Sequence, residues 1–546
     1  IKPSLSSRHT QAIAFNCVLG VGLYITSSAY FFKAGPLGVL LGFIITGTVL
    51  FLFLLTIKEM TSFIPASGSL STFGSRFVDD SIGFSMGILY WLSYNFLTMS
   101  QIIVASEMIS AFTSIGTHAT TKIFWISMFI IIITAVNFLP TRTFAECLFV
   151  AALIKCIIAI MLVIFLFVVN HSPNSPDTRY TYPLAFKFWD SNKGEPGLAL
   201  SDATRYGPFR PYFIPSPVTS TERPITTISG DLGRFLQVLY AIIHTVFAYT
   251  GLDGFAIAAT ESRSIKRDFA DTFPYFYPVL TCIYVFGALA FGLDTWAGDS
   301  RLVGIFDPAT VFCPRVGTID DNVVLHSPGE KSAFVISLRN AGYCKMSQLV
   351  IAYFIFSAVC AGAAQMYCAN RTLYALAKQA KAPKIFARTK NGSAVYAIWM
   401  TALIVCCSYF GAIEPDSSSF NFTWVLTLSG NSMLIAWICT AVAYIRFYKG
   451  LKHHPYVLQR DSDNFPFHSP FQPYSAYVVT IFLSVLVLFS GFYVFFKSSW
   501  STADFISSYV PLFIFIVSTI AYKLYRRTRH VKFKDMNFSI GRVTSD

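Results

Sequence analysis

Two long apolar segments of this chain are interrupted by glycine: Leu19-Gly20-Val21-Gly22-Leu23 and Phe247-Ala248-Tyr249-Thr250-Gly251-Leu252-Asp253-Gly254. They occupy the first and sixth places in a series of hydrophobic stretches of membrane length. Hydrocarbon offers no water to an unsatisfied peptide group, so a helix that unwinds at mid-depth has to line a protected cavity. A pair of such breaks at corresponding places in two halves marks the solute site of an inverted-repeat fold. The alternative gives each glycine only a packing role, as small residues have where membrane helices approach closely. The pairing is what favours a site.

A composition of 54% hydrophobic and 13% charged residues belongs to a chain whose solvent is mostly lipid bilayer. The net charge of +13 is spread over short connections: Arg263, Lys266 and Arg267; Lys378, Lys381, Lys384, Arg388 and Lys390; Arg446, Lys449 and Lys452; Arg526, Arg527 and Arg529. If the spans alternate, these clusters share one side, which is the positive-inside pattern and no nucleic-acid stripe. Apolar runs of roughly twenty residues predict an all-α integral membrane fold with twelve transmembrane helices. Helices 1–5 and 6–10 form the inverted repeat, with helices 1 and 6 broken and two helices added.

The corresponding division is a cytosolic remnant 1–11, helices 1–5 over 12–169, an outer loop 170–233, helices 6–7 over 234–297 and a second outer loop 298–345. Helices 8–10 over 346–446, a cytosolic loop 447–473, helices 11–12 over 474–527 and a cytosolic tail 528–546 complete it. Both termini are expected in the cytosol, and a start at Ile1 without a charged leader predicts that a natural N-terminal region precedes it. The first outer loop carries Tyr180, Tyr182, Phe186, Phe188, Trp189 and Tyr206, too many aromatics for a disordered linker, so the outer loops are expected to fold into a cap. Cys313 and Cys344 share the second outer loop in an oxidising compartment, where a disulfide between them is worth about 3 to 4 kcal/mol. Sequons at Asn170 and Asn421 face the same side but hug helix ends.

An amino-acid zwitterion suits such a pair of breaks. Its carboxylate takes free N–H groups at a positive helix end and its ammonium takes free carbonyls at a negative one. Gly20, Val21, Gly22 and Leu23 would present the donors, and Phe247, Ala248 and Tyr249, ahead of Gly251, the acceptors. Ionisable residues in apolar spans are costly and therefore candidates for function. Asp253 falls in the sixth-helix break and Lys155 midway along the fifth span, whereas Glu107 and Glu261 read as structural partners, the latter beside Arg263, Lys266 and Arg267. His9 and His244 read as ordinary helix-end residues.

Several ungapped runs carry a resemblance: Ser69-Leu70-Ser71-Thr72-Phe73-Gly74-Ser75-Arg76-Phe77-Val78 after Glu59-Met60 and Pro65, Phe247 to Gly254, Arg371-Thr372-Leu373-Tyr374-Ala375-Leu376-Ala377-Lys378, and Ala382-Pro383-Lys384-Ile385-Phe386. The chain resembles the fungal amino-acid permeases of the amino acid-polyamine-organocation superfamily, outside the two outer loops. Those enlarged loops resemble the permease-like plasma-membrane sensors of that family, which implies an extracellular amino acid ligand, a long cytosolic N-terminal extension and cytosolic partners, a scaffold and a protease. By resemblance, Lys155 stands where proton-coupled relatives hold a lysine beside the first break, either for coupling or as a structural pin, and Asp253 replaces a usual glutamate. Asn16-Cys17-Val18-Leu19-Gly20-Val21-Gly22-Leu23-Tyr24 departs from the family's glycine- and hydroxyl-rich first break, and Ala363-Ala364-Gln365 from its eighth-helix run. Stiffer hinges should hinder alternating access more than binding. The sequence therefore predicts a plasma-membrane amino-acid sensor, with a proton-coupled permease as the alternative and a structural subunit third. No phosphate loop, metal-ligand spacing or nucleophile elbow calls for a cofactor, a metal or enzymatic chemistry.

Overall fold

The computed structural model describes residues 5–64, 70–112, 119–171, 178–194, 205–214, 225–262, 265–304, 327–390, 393–412, 418–454, 457, 459–460, 462, 465–496 and 500–538. Fifteen α-helices are described: α1 (Ser7–Val18), α2 (Ser27–Phe63), α3 (Ser71–Phe77), α4 (Asp80–Met108), α5 (Ala119–Asn137), α6 (Thr141–Asn170), α7 (Gly230–Ala248), α8 (Gly254–Ala259), α9 (Ile265–Asp294), α10 (Ala333–Asn340), α11 (Cys344–Lys378), α12 (Val395–Val405), α13 (Ser418–Lys452), α14 (Tyr474–Phe489) and α15 (Thr502–Arg526). Among the described residues nine helical stretches are long and apolar enough to cross a membrane, the first running from Ser7 to Phe63 through two interruptions. The second interruption is a kink at Gly35, whose φ of 81° and following Pro36 end one helix and begin the next. The chain is a multi-pass helical membrane protein.

Outward faces of α5, α6 and α15 expose Ile131, Met161, Ile164, Phe513 and Leu524, the reverse of a water-soluble pattern and the expected one where lipid is the solvent. The interior is aromatic and small-residue packing around α1, α4, α8, α11 and α13, with Tyr24, Tyr94, Tyr249, Tyr284 and Trp437 fully buried. Reciprocal bonds between Ser93 and Ser429 hold α4 to α13: each hydroxyl donates to the other residue's carbonyl, at 2.8 and 2.9 Å.

Outside the helices the chain is not purely helical. β1 (Tyr212–Ile214) and β2 (Ile225–Ile228) pair antiparallel, with Tyr212 opposite Ile228. The outer-loop aromatics pack as expected of a cap: Tyr180, Tyr182, Phe188 and Tyr206 form a cluster with Trp296 and Ala341 of the second outer segment. Asp299 joins the two loops, accepting from Arg179 at 3.0 Å and from Arg301 at 2.7 Å. Burial raises the Asp299 carboxyl, but Arg301 and Arg179 outweigh it and hold the group below the usual carboxylate range.

Candidate ligand site at the two broken helices

The first helix stops at Val18, and Leu19 is extended at φ −76°, ψ 90°. The chain resumes through a π-helical turn, Gly22–Thr26, leading into α2. Unwinding leaves carbonyls of the last turn without helical partners, and side chains from three other helices take them one by one. Gln365 Nε2 donates to Cys17 O at 2.8 Å, Tyr284 OH to Val18 O at 3.1 Å, and Ser357 Oγ to Leu19 O at 3.2 Å. Lys155 Nζ also donates to Leu19 O. On the other side of the break, Val21 N–H points at Gln101 Oε1, 3.3 Å away.

The sixth helix is built differently. α7 ends at Ala248, Tyr249 to Asp253 form a chain of turns, and α8 begins at Gly254. The turns close on themselves: Thr250 Oγ1 donates to Phe247 O at 2.6 Å, Leu252 N–H to Tyr249 O at 3.3 Å and Gly254 N–H to Gly251 O at 2.9 Å. Gly251 has φ 91°, where a Cβ is strained, and that Cβ would lie 3.0 Å from Cys17 O. A Cβ on Gly22 would lie 2.7 Å from Ala248 Cα. Both glycines therefore serve the contact of one break with the other. One further group joins them: Tyr284 OH, 3.1 Å from Val18 O, is 2.9 Å from Ala248 O. A hydroxyl has a single proton, so one carbonyl from each break shares a single donor.

Asp253 is fully buried, and neither carboxylate oxygen makes a well-aligned hydrogen bond among the described residues. Its polar neighbours are Tyr90 and Tyr94 of α4 and Trp437 of α13, whose OH and Nε1 atoms likewise make no well-aligned hydrogen bond among the described residues. Buried polar groups are nearly always paired, so three donors gathered round one carboxylate in strained alignment form a polar cluster suited to a small cationic or hydrogen-bonding group. Beside it the thiols of Cys17 and Cys368 stand 3.6 Å apart.

The structure thus brings Gly20, Val21, Gly22, Leu23, Phe247, Ala248, Tyr249, Gly251 and Asp253 into one buried region, with Lys155 at its edge. Sequence reading did not single out Gln101, Tyr90, Tyr94, Tyr284, Ser357 or Trp437; an amide and hydroxyls on the inner faces of apolar helices were the available signal. Elsewhere, Asn170 is buried and its amide donates to Asp294 at 2.7 Å, while the side chain of Asn421 and all of Cys313 lie outside the described residues. Cys344 is disulfide-bonded. Glu261 pairs with Arg371 at 2.6 Å; the side chains of Arg263, Lys266 and Arg267, its expected neighbours, are outside the described residues. His244 stacks on Tyr240 with ring centroids 3.8 Å apart. A cavity of about 230 Å³ lined by Arg205, Phe209, Arg210 and Arg234 belongs to the outer cap and is separate from the breaks.

Comparison with known proteins agrees with the helical architecture. The amino acid permease family model matches residues 9–535. The SPS-sensor component SSY1 of Saccharomyces cerevisiae is 28% identical over all of this chain, which spans 65% of that relative's length, just under two thirds. The proline-specific permease of Emericella nidulans is 30% identical over 96% of this chain and 86% of its own, and the lysine-specific permease of Saccharomyces cerevisiae 27% over 99% and 79%. A match running almost from end to end through both broken helices shows that this chain belongs to the amino acid permease family.

Proposed function

We propose that this protein is a plasma-membrane sensor of extracellular amino acids, built on a permease fold, whose ligand-dependent conformation is read by cytosolic partners. Similarity over the whole chain to a sensor component supports the reading. The partners would be of the scaffold and protease kind that the resemblance implies. The ligand would lie between the breaks, its carboxylate toward the N–H groups of Gly20 to Gly22 and its ammonium toward Ala248 O, with Asp253, Tyr90, Tyr94 and Trp437 beneath it. The reading takes twelve spans with both termini inside: Ser7–Phe63 would supply two spans, and the broken pair α7–α8 and the short α14 would add two more to the nine long helical stretches.

The observation that carries sensing over transport is the bonding of three successive carbonyls, Cys17, Val18 and Leu19, to side chains of α9 and α11. Alternating access would break most of these bonds, at about 1 kcal/mol net for each. A sensor needs only a modest shift between two states. A route to the cytosol is also at hand: Leu5 N–H donates to Glu261 O at 3.1 Å, so the segment before α1 is tied to the inner end of the sixth helix. The permease alternative keeps support from the permeases among the relatives and from Lys155 beside the first break.

Cells carrying hinge variants at Gly22 or Gly251 separate the two. Output from the cytosolic partners should follow the conformation that a variant favours, with some variants active without amino acid. Output that always tracked uptake rate would favour the permease.

A further inference from the structure

The segment after α15 does not leave the protein. It folds back across the cytosolic ends of α4 and α13. Thr528 Oγ1 and Lys523 Nζ donate to Asp79, the residue that caps α4, at 2.8 and 3.0 Å, and Val531 N–H donates to Val78 O at 3.0 Å. From α13, Arg446 donates to Val531 O and lies over the Phe533 ring at 4.9 Å, while His454 Nε2 meets Phe533 O at 2.8 Å. Met536 and Phe538 are buried, Phe538 against Phe77, Phe447 and His454. A Cβ on Gly450 would come within 2.4 Å of Met536 Sδ, so the glycine leaves the seat for that side chain.

The same two helices close on Asp253. Tyr90 and Tyr94 sit on α4 about 17 to 22 Å along the helix from Asp79, and Trp437 on α13 about 13 Å from Arg446, taking 1.5 Å per residue. We propose that this strap, residues 528–538, is a latch that reports the spacing of α4 and α13 to the cytosol and holds the protein silent while it is seated. This rests on the sensor reading above. A ligand that engages Tyr90, Tyr94 or Trp437 pulls on one helix relative to the other, and a small rotation is carried down two stiff rods to the place where the strap bridges them. The seat depends on contacts to both helices at once, so a change in their separation costs it several contacts together.

The test uses the full chain in cells that hold its cytosolic partners. Val78→Cys with Val531→Cys, oxidised in permeabilised membranes and identified by mass spectrometry, reads the seated strap. A mixture of the standard protein amino acids should lower the yield of that cross-link about five-fold. Phe538→Ala should raise partner output without amino acid by a similar factor while labelled amino-acid binding stays at the wild-type level. Where the wild-type protein responds to amino acids, a cross-link yield that ignores them, or Phe538→Ala output at the resting level, overturns the latch and leaves the sensor standing. A wild-type protein that neither binds nor responds overturns both.

Discussion

The two broken helices look alike in sequence and are held in different ways. The first is pinned from outside: its freed carbonyls go to Gln365, Ser357 and Lys155, on α11 and α6, and Val18 O shares the Tyr284 hydroxyl with Ala248 O of the sixth. The sixth closes largely on itself through Thr250 and a chain of turns, and it keeps a buried carboxylate, Asp253, at its end beside Tyr90, Tyr94 and Trp437. A break that satisfies itself can shift as a unit, whereas a pinned one shifts only if its neighbours move too. The sixth break is therefore suited to respond to a ligand and the first to transmit the response through α6, α9 and α11.

The largest expected effect comes from closing the gap between the two. Gly22→Leu drives a side chain into Ala248, and overpacking of this kind costs about 3 kcal/mol. Surface abundance and the Tm of the purified protein should both fall; a normal Tm with normal output would mean that the breaks do not touch. Lys155→Met removes a buried donor from Leu19 O and should cost about 2 kcal/mol, together with output that no longer needs ligand. Unchanged Tm and unchanged resting output would show that the lysine pins nothing. A matched pair sharpens the contrast: Gln365→Leu should lower Tm by the equivalent of about 1 to 2 kcal/mol, and Thr250→Val by about half of that, because the latter break retains its backbone turns. Equal losses would erase the distinction.

The smallest effect is the pH dependence of the outer cap. Asp299 titrates below the ordinary value of 3.8 in the folded protein. Its contribution is therefore present above that value and lost as pH falls below it. Proteolysis of the outer loops should be flat between neutral pH and about pH 5 and rise only in stronger acid. Asp299→Asn should make the loops sensitive at neutral pH. A titration centred near neutrality would point to a different group.

Much of this was legible in the sequence because membrane helices advertise themselves. Apolar length, the Gly20-Val21-Gly22 and Gly251 breaks and the sidedness of Lys and Arg need no tertiary information, and the permease runs around Ser69 and Arg371 added the family. Sequence reads the glycines as places where backbone donors come free; in the structure the missing Cβ atoms of Gly22 and Gly251 leave room for the opposite break, a contact between residues more than two hundred positions apart that no local pattern encodes. The pins were illegible for the same reason, since a single Gln101, Tyr284 or Ser357 on an apolar helix does not reveal which carbonyl it faces. The strap was hidden because residues 528–546 read as a cytosolic tail, and only the fold brings the ends of α4 and α13 together to receive Met536 and Phe538.

Binding and uptake measured on one preparation test the central claim most directly. Purified protein in proteoliposomes would be given labelled amino acids, one aliquot assayed for bound label and another for label inside the vesicles under an imposed proton gradient. The sensor account predicts saturable binding, weakened by substitution of Asp253, with no accumulation above protein-free vesicles. Gradient-driven accumulation at a rate that accounts for cellular uptake would contradict it and make the protein a permease.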